Sequence, residues 1–143
     1  MNATPIRLVT LASVGLIACG VWAAHAADVD LGKLPAAASQ KGVTFEKDIK
    51  PIFEKSCFKC HGPEVEKPKG KLRVDTLAAV LKGGENGPNV IAGDLKKSTL
   101  LHQVAQIVDE DEWMPPPDNK AKIPPLTKEQ VALIRAWIEQ GAK

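Results

Sequence analysis

Cys57-Phe58-Lys59-Cys60-His61 is the part of the chain whose residue types and spacing can do chemistry. Two thiols three residues apart can each add to one vinyl group of a porphyrin, and the imidazole that follows then sits under the iron as proximal ligand. C-x-x-C by itself also suits half of a zinc site or a thioredoxin-like redox pair. Structural zinc wants four ligands, and the sequence has no second cysteine pair, only His61 and His102 nearby in the chain. A thioredoxin-like pair needs a βαβ setting, and no alternating pattern long enough for a sheet is present. The pentad therefore predicts one covalently attached haem c, held through Cys57 and Cys60.

A sixth ligand is sought next. Met114 is the only methionine besides Met1. It lies well downstream of His61, in a loop, and Pro115-Pro116-Pro117 follow it. Three prolines fix φ and keep such a segment extended, which suits holding a thioether against iron. His102 competes for the role, but it sits on a predicted helix beside Leu100-Leu101, where a core or solvent-edge histidine is the ordinary expectation. His61/Met114 ligation leaves no open position on the iron and favours the ferrous state. It suits outer-sphere electron transfer and disfavours a peroxidase or a gas sensor. Further from the iron, the carbonyl of Pro88 or of Pro63 is the expected acceptor for the other ring N–H of His61. Arg73 is a candidate partner for a haem propionate, with an ordinary surface arginine as the alternative.

The elements that must position these residues follow from periodicity. Phe45, Ile49, Ile52 and Phe53 share one helical face, with Pro51 either kinking that helix or opening it. Asp75 is the expected N-cap of a short helix over residues 76–82, stopped by Gly83-Gly84. Asp94 or Ser98 starts another helix, with Leu100, Leu101, Val104, Ile107 and Val108 as its apolar residues. Thr127-Lys128-Glu129-Gln130 is a capping box for the last helix, with Val131, Ile134 and Ile138 as its stripe.

The front of the 143-residue chain reads as a leader. Arg7, an apolar run over residues 8–18 and Ala24-His25-Ala26 predict a secretory signal over residues 1–26. Leu16-Ile17-Ala18-Cys19 resembles a lipobox, which would make Cys19 a lipidated N-terminus; an uncleaved anchor is the third possibility. Each predicts a domain on the oxidising side of a membrane, in the periplasm. Membrane attachment is expected only if Cys19 is lipidated or the leader is retained. Residues 27–42 read as a flexible tether and residues 43–143 as the domain. A net charge of +2 gives no reason to expect nucleic acid. Lysines 47, 50, 55, 59, 67, 69 and 71 cluster around the pentad with acids among them, which fits docking on an acidic partner or an ordinary solvated surface.

Taken together, these stretches resemble the planctomycete-type cytochrome c domain. The resemblance is carried by Ile49-Lys50-Pro51-Ile52-Phe53, residues 57–63, Lys71-Leu72-Arg73-Val74-Asp75-Thr76 and Leu81-Lys82-Gly83-Gly84. It continues through Gly87-Pro88, Gly93-Asp94, Met114-Pro115-Pro116 and the last helix to Ala142. It implies the small all-α class I cytochrome c fold, with the first and last helices crossing. It also implies thioethers at Cys57 and Cys60, with His61 proximal and Met114 distal. The expected function is single-electron transfer between exported redox proteins, with a subunit permanently bound to a dehydrogenase or respiratory complex as the alternative. No catalytic residue of its own is expected.

Overall fold

The computed structural model describes residues 29–143. The expected signal over residues 1–26 and Cys19 lie outside the described residues. Among those described, helices and turns make up the fold, and the only β pairing is an isolated bridge between Gly84 and Gly87. The fold is all-α, as expected. Helix α1 spans Lys50–Ser56, α2 Phe58–His61, α3 Leu77–Lys82, α4 Thr99–Val104 and α5 Lys128–Glu139.

Both possibilities for Pro51 are realised at once. Residues Phe45–Ile49 form one wide π turn, in which the Lys50 N–H reaches back to the Phe45 carbonyl. Helix α1 then begins with Pro51 in its first turn. Proline has no N–H, and its ring crowds the carbonyl four residues earlier. Widening the preceding turn relieves that crowding while keeping Phe45, Ile49 and Phe53 all on the buried side.

α5 is the core's main strut. Thr127 and Gln130 form the expected capping box, with Thr127 Oγ1 accepting from the Gln130 N–H and Gln130 Oε1 accepting from the Thr127 N–H at 2.9 Å. Ile134, Trp137 and Ile138 are fully buried. Trp137 meets Phe45 with ring centroids 6.0 Å apart, and Phe45 meets Phe53 edge-on at 6.1 Å. This aromatic trio is where the first and last helices pack. Such pairs contribute about 0.5–1.5 kcal/mol beyond the area they bury. The Lys143 carbonyl reinforces the junction by accepting from the Phe45 N–H at 2.7 Å and from Trp137 Nε1 at 3.0 Å.

The segment expected as a tether is instead packed along α5 over much of its length. Leu34 is buried, as is Val43 just beyond the segment. Arg135 donates to the Pro35 carbonyl at 2.9 Å, the Ala38 N–H to the Ala132 carbonyl at 3.1 Å, and Gln140 Nε2 to the Gln40 carbonyl at 2.9 Å. The small alanines that made this stretch look featureless let its backbone come close to the helix.

Two helices differ from expectation at their starts or ends. Thr76, not Asp75, caps α3, its hydroxyl accepting from the Ala79 N–H at 3.2 Å. α4 stops at Val104, and Gln106 takes a left-handed φ of 56°, so Ile107 and Val108 lie beyond the helix. Gly83 ends α3 at φ 76°, and a Cβ there would run into the Gly87 carbonyl and Pro88 Cα. Only glycine allows the 83–88 turn to fold this tightly.

Candidate haem site

α1 delivers the chain into the pentad. The helix breaks at Cys57 (φ −124°) and restarts as α2, which carries Cys60 and His61. The His61 N–H still reaches the Cys57 carbonyl at 2.9 Å, so the two cysteines and the histidine form one rigid turn. Cys57 and Cys60 are both free thiols and half-buried. Burial, with a smaller contribution from neighbouring Cys60, pushes the Cys57 thiol up to about 12.

The pentad forms one wall of a cleft with about 600 Å³ of atom-free space, counting the part open to solvent. Leu72, Val74, Leu100 and Val104 give it apolar sides, and Met114, Pro115 and Pro116 border it as well. His61 and Met114, far apart in sequence, thus border one slot together with both thiols. The donor set suits haem: two thiols for attachment, an imidazole and a thioether for iron, and apolar walls for the macrocycle. Among the described residues, no group of three or more His, Cys, Asp or Glu side chains converges as a metal cage, so the zinc alternative lacks its ligands.

The surroundings of His61 differ from the sequence reading. Its Nδ1 lies 3.1 Å from the Leu72 carbonyl. Neither Pro88 nor Pro63 is that partner. Pro88 sits in the turn that Gly83 makes possible, while the Val74 N–H, bonded to the His61 carbonyl at 3.1 Å, brings the Leu72–Val74 strip against α2. This leaves Nε2 as the ring nitrogen for a metal. Burial lowers the imidazole pKa, against hydrogen bonds to the Leu72 and Lys69 backbone that raise it. The neutral form that coordinates iron is thereby favoured.

Arg73 is also used differently. Its guanidinium donates to the Gly62 carbonyl at 2.8 Å, to Val65 at 2.8 Å and, more weakly, to Pro63 at 3.4 Å. It ties down the loop that leaves His61 and is committed to main-chain carbonyls. His102 is 2% exposed, with Nε2 2.7 Å from the Leu95 carbonyl, and it does not border the cleft. It is a core histidine.

Three residues to which the sequence reading gave no role at the site organise it, although Ser98 was named there as a helix start. Asn119 donates to the Pro116 and Ile123 carbonyls at 2.8 and 2.9 Å and accepts from the Ile123 N–H at 2.8 Å, which closes the loop beyond Met114. An asparagine shortly after a proline run is a usable sign of such a turn. Ser98, fully buried, bonds to Ile91 and Asp94 and fixes the approach to α4. Asn89 borders the cleft, and its carbonyl accepts from the Leu100 N–H at 3.0 Å.

No curated protein and no solved structure matches the chain. A family model does: residues 57–118 match Planctomycete cytochrome C. That stretch runs from Cys57 through the Met114 loop, and the family is the one the sequence resembles.

Proposed function

We propose that the protein is an exported monohaem c-type cytochrome that passes single electrons between redox partners in the periplasm. The observation that carries this reading is that His61 and Met114 border the same apolar slot as the Cys57 and Cys60 thiols. When bound, haem c supplies a one-electron iron couple. Cys57 and Cys60 would hold it covalently, and His61 Nε2 and Met114 Sδ would supply the ligands to its iron. The apolar walls exclude water from the iron, and the tied loops on both sides limit rearrangement between oxidation states. Those properties favour outer-sphere transfer over substrate chemistry. Among the described residues no helix is long and apolar enough to cross a membrane. Export rests on the leader, and the donor and acceptor are other exported redox proteins.

The test is spectroscopic. Protein produced with haem-attachment machinery should keep its haem through denaturation and acid-acetone extraction. Its mass should exceed that of the polypeptide by one haem. The ferric form should show the near-infrared sulfur-to-iron band, and the ferrous form should resist carbon monoxide. Haem that washes out, or ready carbon monoxide binding by the wild type, would overturn the attachment or the ligation respectively.

A further inference from the structure

Asn89 Oδ1 is buried with no hydrogen-bond partner. It is an acceptor, so a donor has to meet it. Asn89 borders both the slot and a recess that continues from it, and the two cavities also share His61, Leu72, Gln103 and Met114. Among those neighbours only His61 and Gln103 carry side-chain donors. His61 Nδ1 is engaged with the Leu72 carbonyl, and Nε2 is the nitrogen left for a metal. Asn119, on the slot alone, has both ends of its amide bonded within its own loop. Lys69, Asn86 and Thr99, on the recess alone, are exposed and have water for a partner. The Gln103 amide remains.

The backbone brings the two amides together. The Asn89 carbonyl accepts from the Leu100 N–H at 3.0 Å, which seats residue 89 against the first turn of α4. Gln103 follows Leu100 by three positions, so the two share one side of the helix. Helical side chains lean towards the N-terminus, and that of Gln103 leans back over the turn where Asn89 sits. Gln103 is half-buried, and its amide bonds to no other described residue. Water leaves that amide once the cleft is filled. A dry donor and a dry acceptor are then neighbours, each costly to leave unpaired. The main chain of Gln103 carries the consequence onward, because its carbonyl accepts from the Met114 N–H at 3.2 Å.

We propose that in the haem-loaded protein Gln103 Nε2 donates to Asn89 Oδ1, and that this amide pair holds the Met114 segment in place. This rests on the haem reading above. Asn89 and Gln103 are positioning residues, and both act through Met114. The pair joins the turn ending at Asn89 to α4 and, through the Gln103 carbonyl, to the thioether's own residue. Loss of either partner loosens that segment, and an outside ligand then replaces the thioether faster.

The experiment uses the holoprotein as wild type, Asn89→Leu, Asn89→Asp, Gln103→Met and the double variant of Asn89→Leu with Gln103→Met. Haem mass and the ferric near-infrared band are read on each preparation. NMR of the ferrous, diamagnetic protein follows exchange of the Gln103 side-chain amide protons. Stopped flow follows imidazole displacing Met114 from the ferric iron. In the wild type the Gln103 amide should exchange roughly tenfold or more slowly than a free glutamine amide. Asn89→Leu should abolish that protection, and Asn89→Asp, which keeps an acceptor, should retain it. Asn89→Leu and Gln103→Met should each speed displacement about threefold to tenfold, the weight of one buried hydrogen bond. The double variant should be no faster than the faster single one, because both changes remove the same interaction. An unprotected Gln103 amide in the wild type overturns the proposal. So does protection that survives Asn89→Leu or disappears in haem-loaded Asn89→Asp. Additive effects on displacement also overturn it, since that is the outcome for two separately structural residues. Wild-type protein without covalent haem overturns the functional reading together with this one, whereas haem-loaded variants with unmoved exchange and rates overturn this one alone.

Discussion

The main-chain N–H of Met114 donates to the carbonyl of Gln103 at 3.2 Å. That bond ties the Met114 loop to the last turn of α4, next to buried Val104. The thioether therefore hangs from a segment held at its own residue and, through Asn119, five residues further on. Met114→Ala should lose the near-infrared band, open the iron to carbon monoxide and lower the reduction potential, because a neutral soft sulfur favours ferrous iron. Met114→His should restore six ligands at a lower potential than wild type.

Asn119→Ala removes three hydrogen bonds within the loop while leaving the thioether in place. At roughly 1 kcal/mol each, the loop should lose about 2–3 kcal/mol of local stability. Carbon monoxide should then bind the ferrous variant more readily than wild type, with the ferric near-infrared band still present. Equal carbon monoxide resistance in variant and wild type would show that the Asn119 bonds do not hold Met114 in place.

Arg73→Ala should destabilise the protein by about 2–3 kcal/mol in denaturant, the range for charged donors on carbonyl acceptors. Amide exchange should speed up across residues 62–66, where its acceptors lie. Unchanged exchange there would mean that the guanidinium contacts contribute nothing to the loop.

His102→Ala should cost about 2–4 kcal/mol, through a cavity and an unmet Leu95 carbonyl. The near-infrared band should persist in whatever fraction folds. His102→Gln, which can still donate to that carbonyl, should recover part of the loss. Disappearance of the band in folded His102→Gln would make His102 the sixth ligand.

Asp48 links the N-terminal strap to the first turn. Its carboxylate accepts from the Thr44 N–H and from Gln40 Nε2, each at 2.8 Å. The Thr44 bond first, and the Gln40 bond second, hold its pKa below the ordinary 3.8. The unfolded chain therefore takes up this proton at a higher pH than the folded one. The stabilisation is fully present above about pH 4 and is lost as pH falls through the depressed folded value. Asp48→Asn should flatten the acid limb of the stability curve, and carboxyl NMR titration should place Asp48 below 3.8. A titration midpoint at or above 3.8 would contradict this.

What the sequence showed and what it hid divide along physical lines. The capping box at Thr127 was legible because it is a short pattern with one mechanism, and the pentad and Met114, singled out by residue type and spacing, border one cleft. The junction of the first and last helices was legible because apolar periodicity survives a local defect such as the π turn at Phe45–Ile49. The partners of Arg73 and His61 were not legible. Both depend on how the Leu72–Val74 strip folds back on α2, and main-chain acceptors leave no trace in residue type. The strap was misread because Pro35, Ala38 and Gln40 bind α5 through their backbone, so their side chains give no periodic signal. The end of α4 at Val104 was missed because Ile107 and Val108 continue the apolar pattern after the backbone has turned.

The clasp between α5 and the segment that precedes Val43 joins residues far apart in the chain, with Pro35 paired to Arg135 and Gln40 to Gln140, each separated by 100 positions. Closing so long a loop has to wait for its second half. Cys57, Cys60 and His61 all lie within the loop that this clasp closes, so the segment before Val43 can dock on α5 only after the stretch that carries them has been laid down.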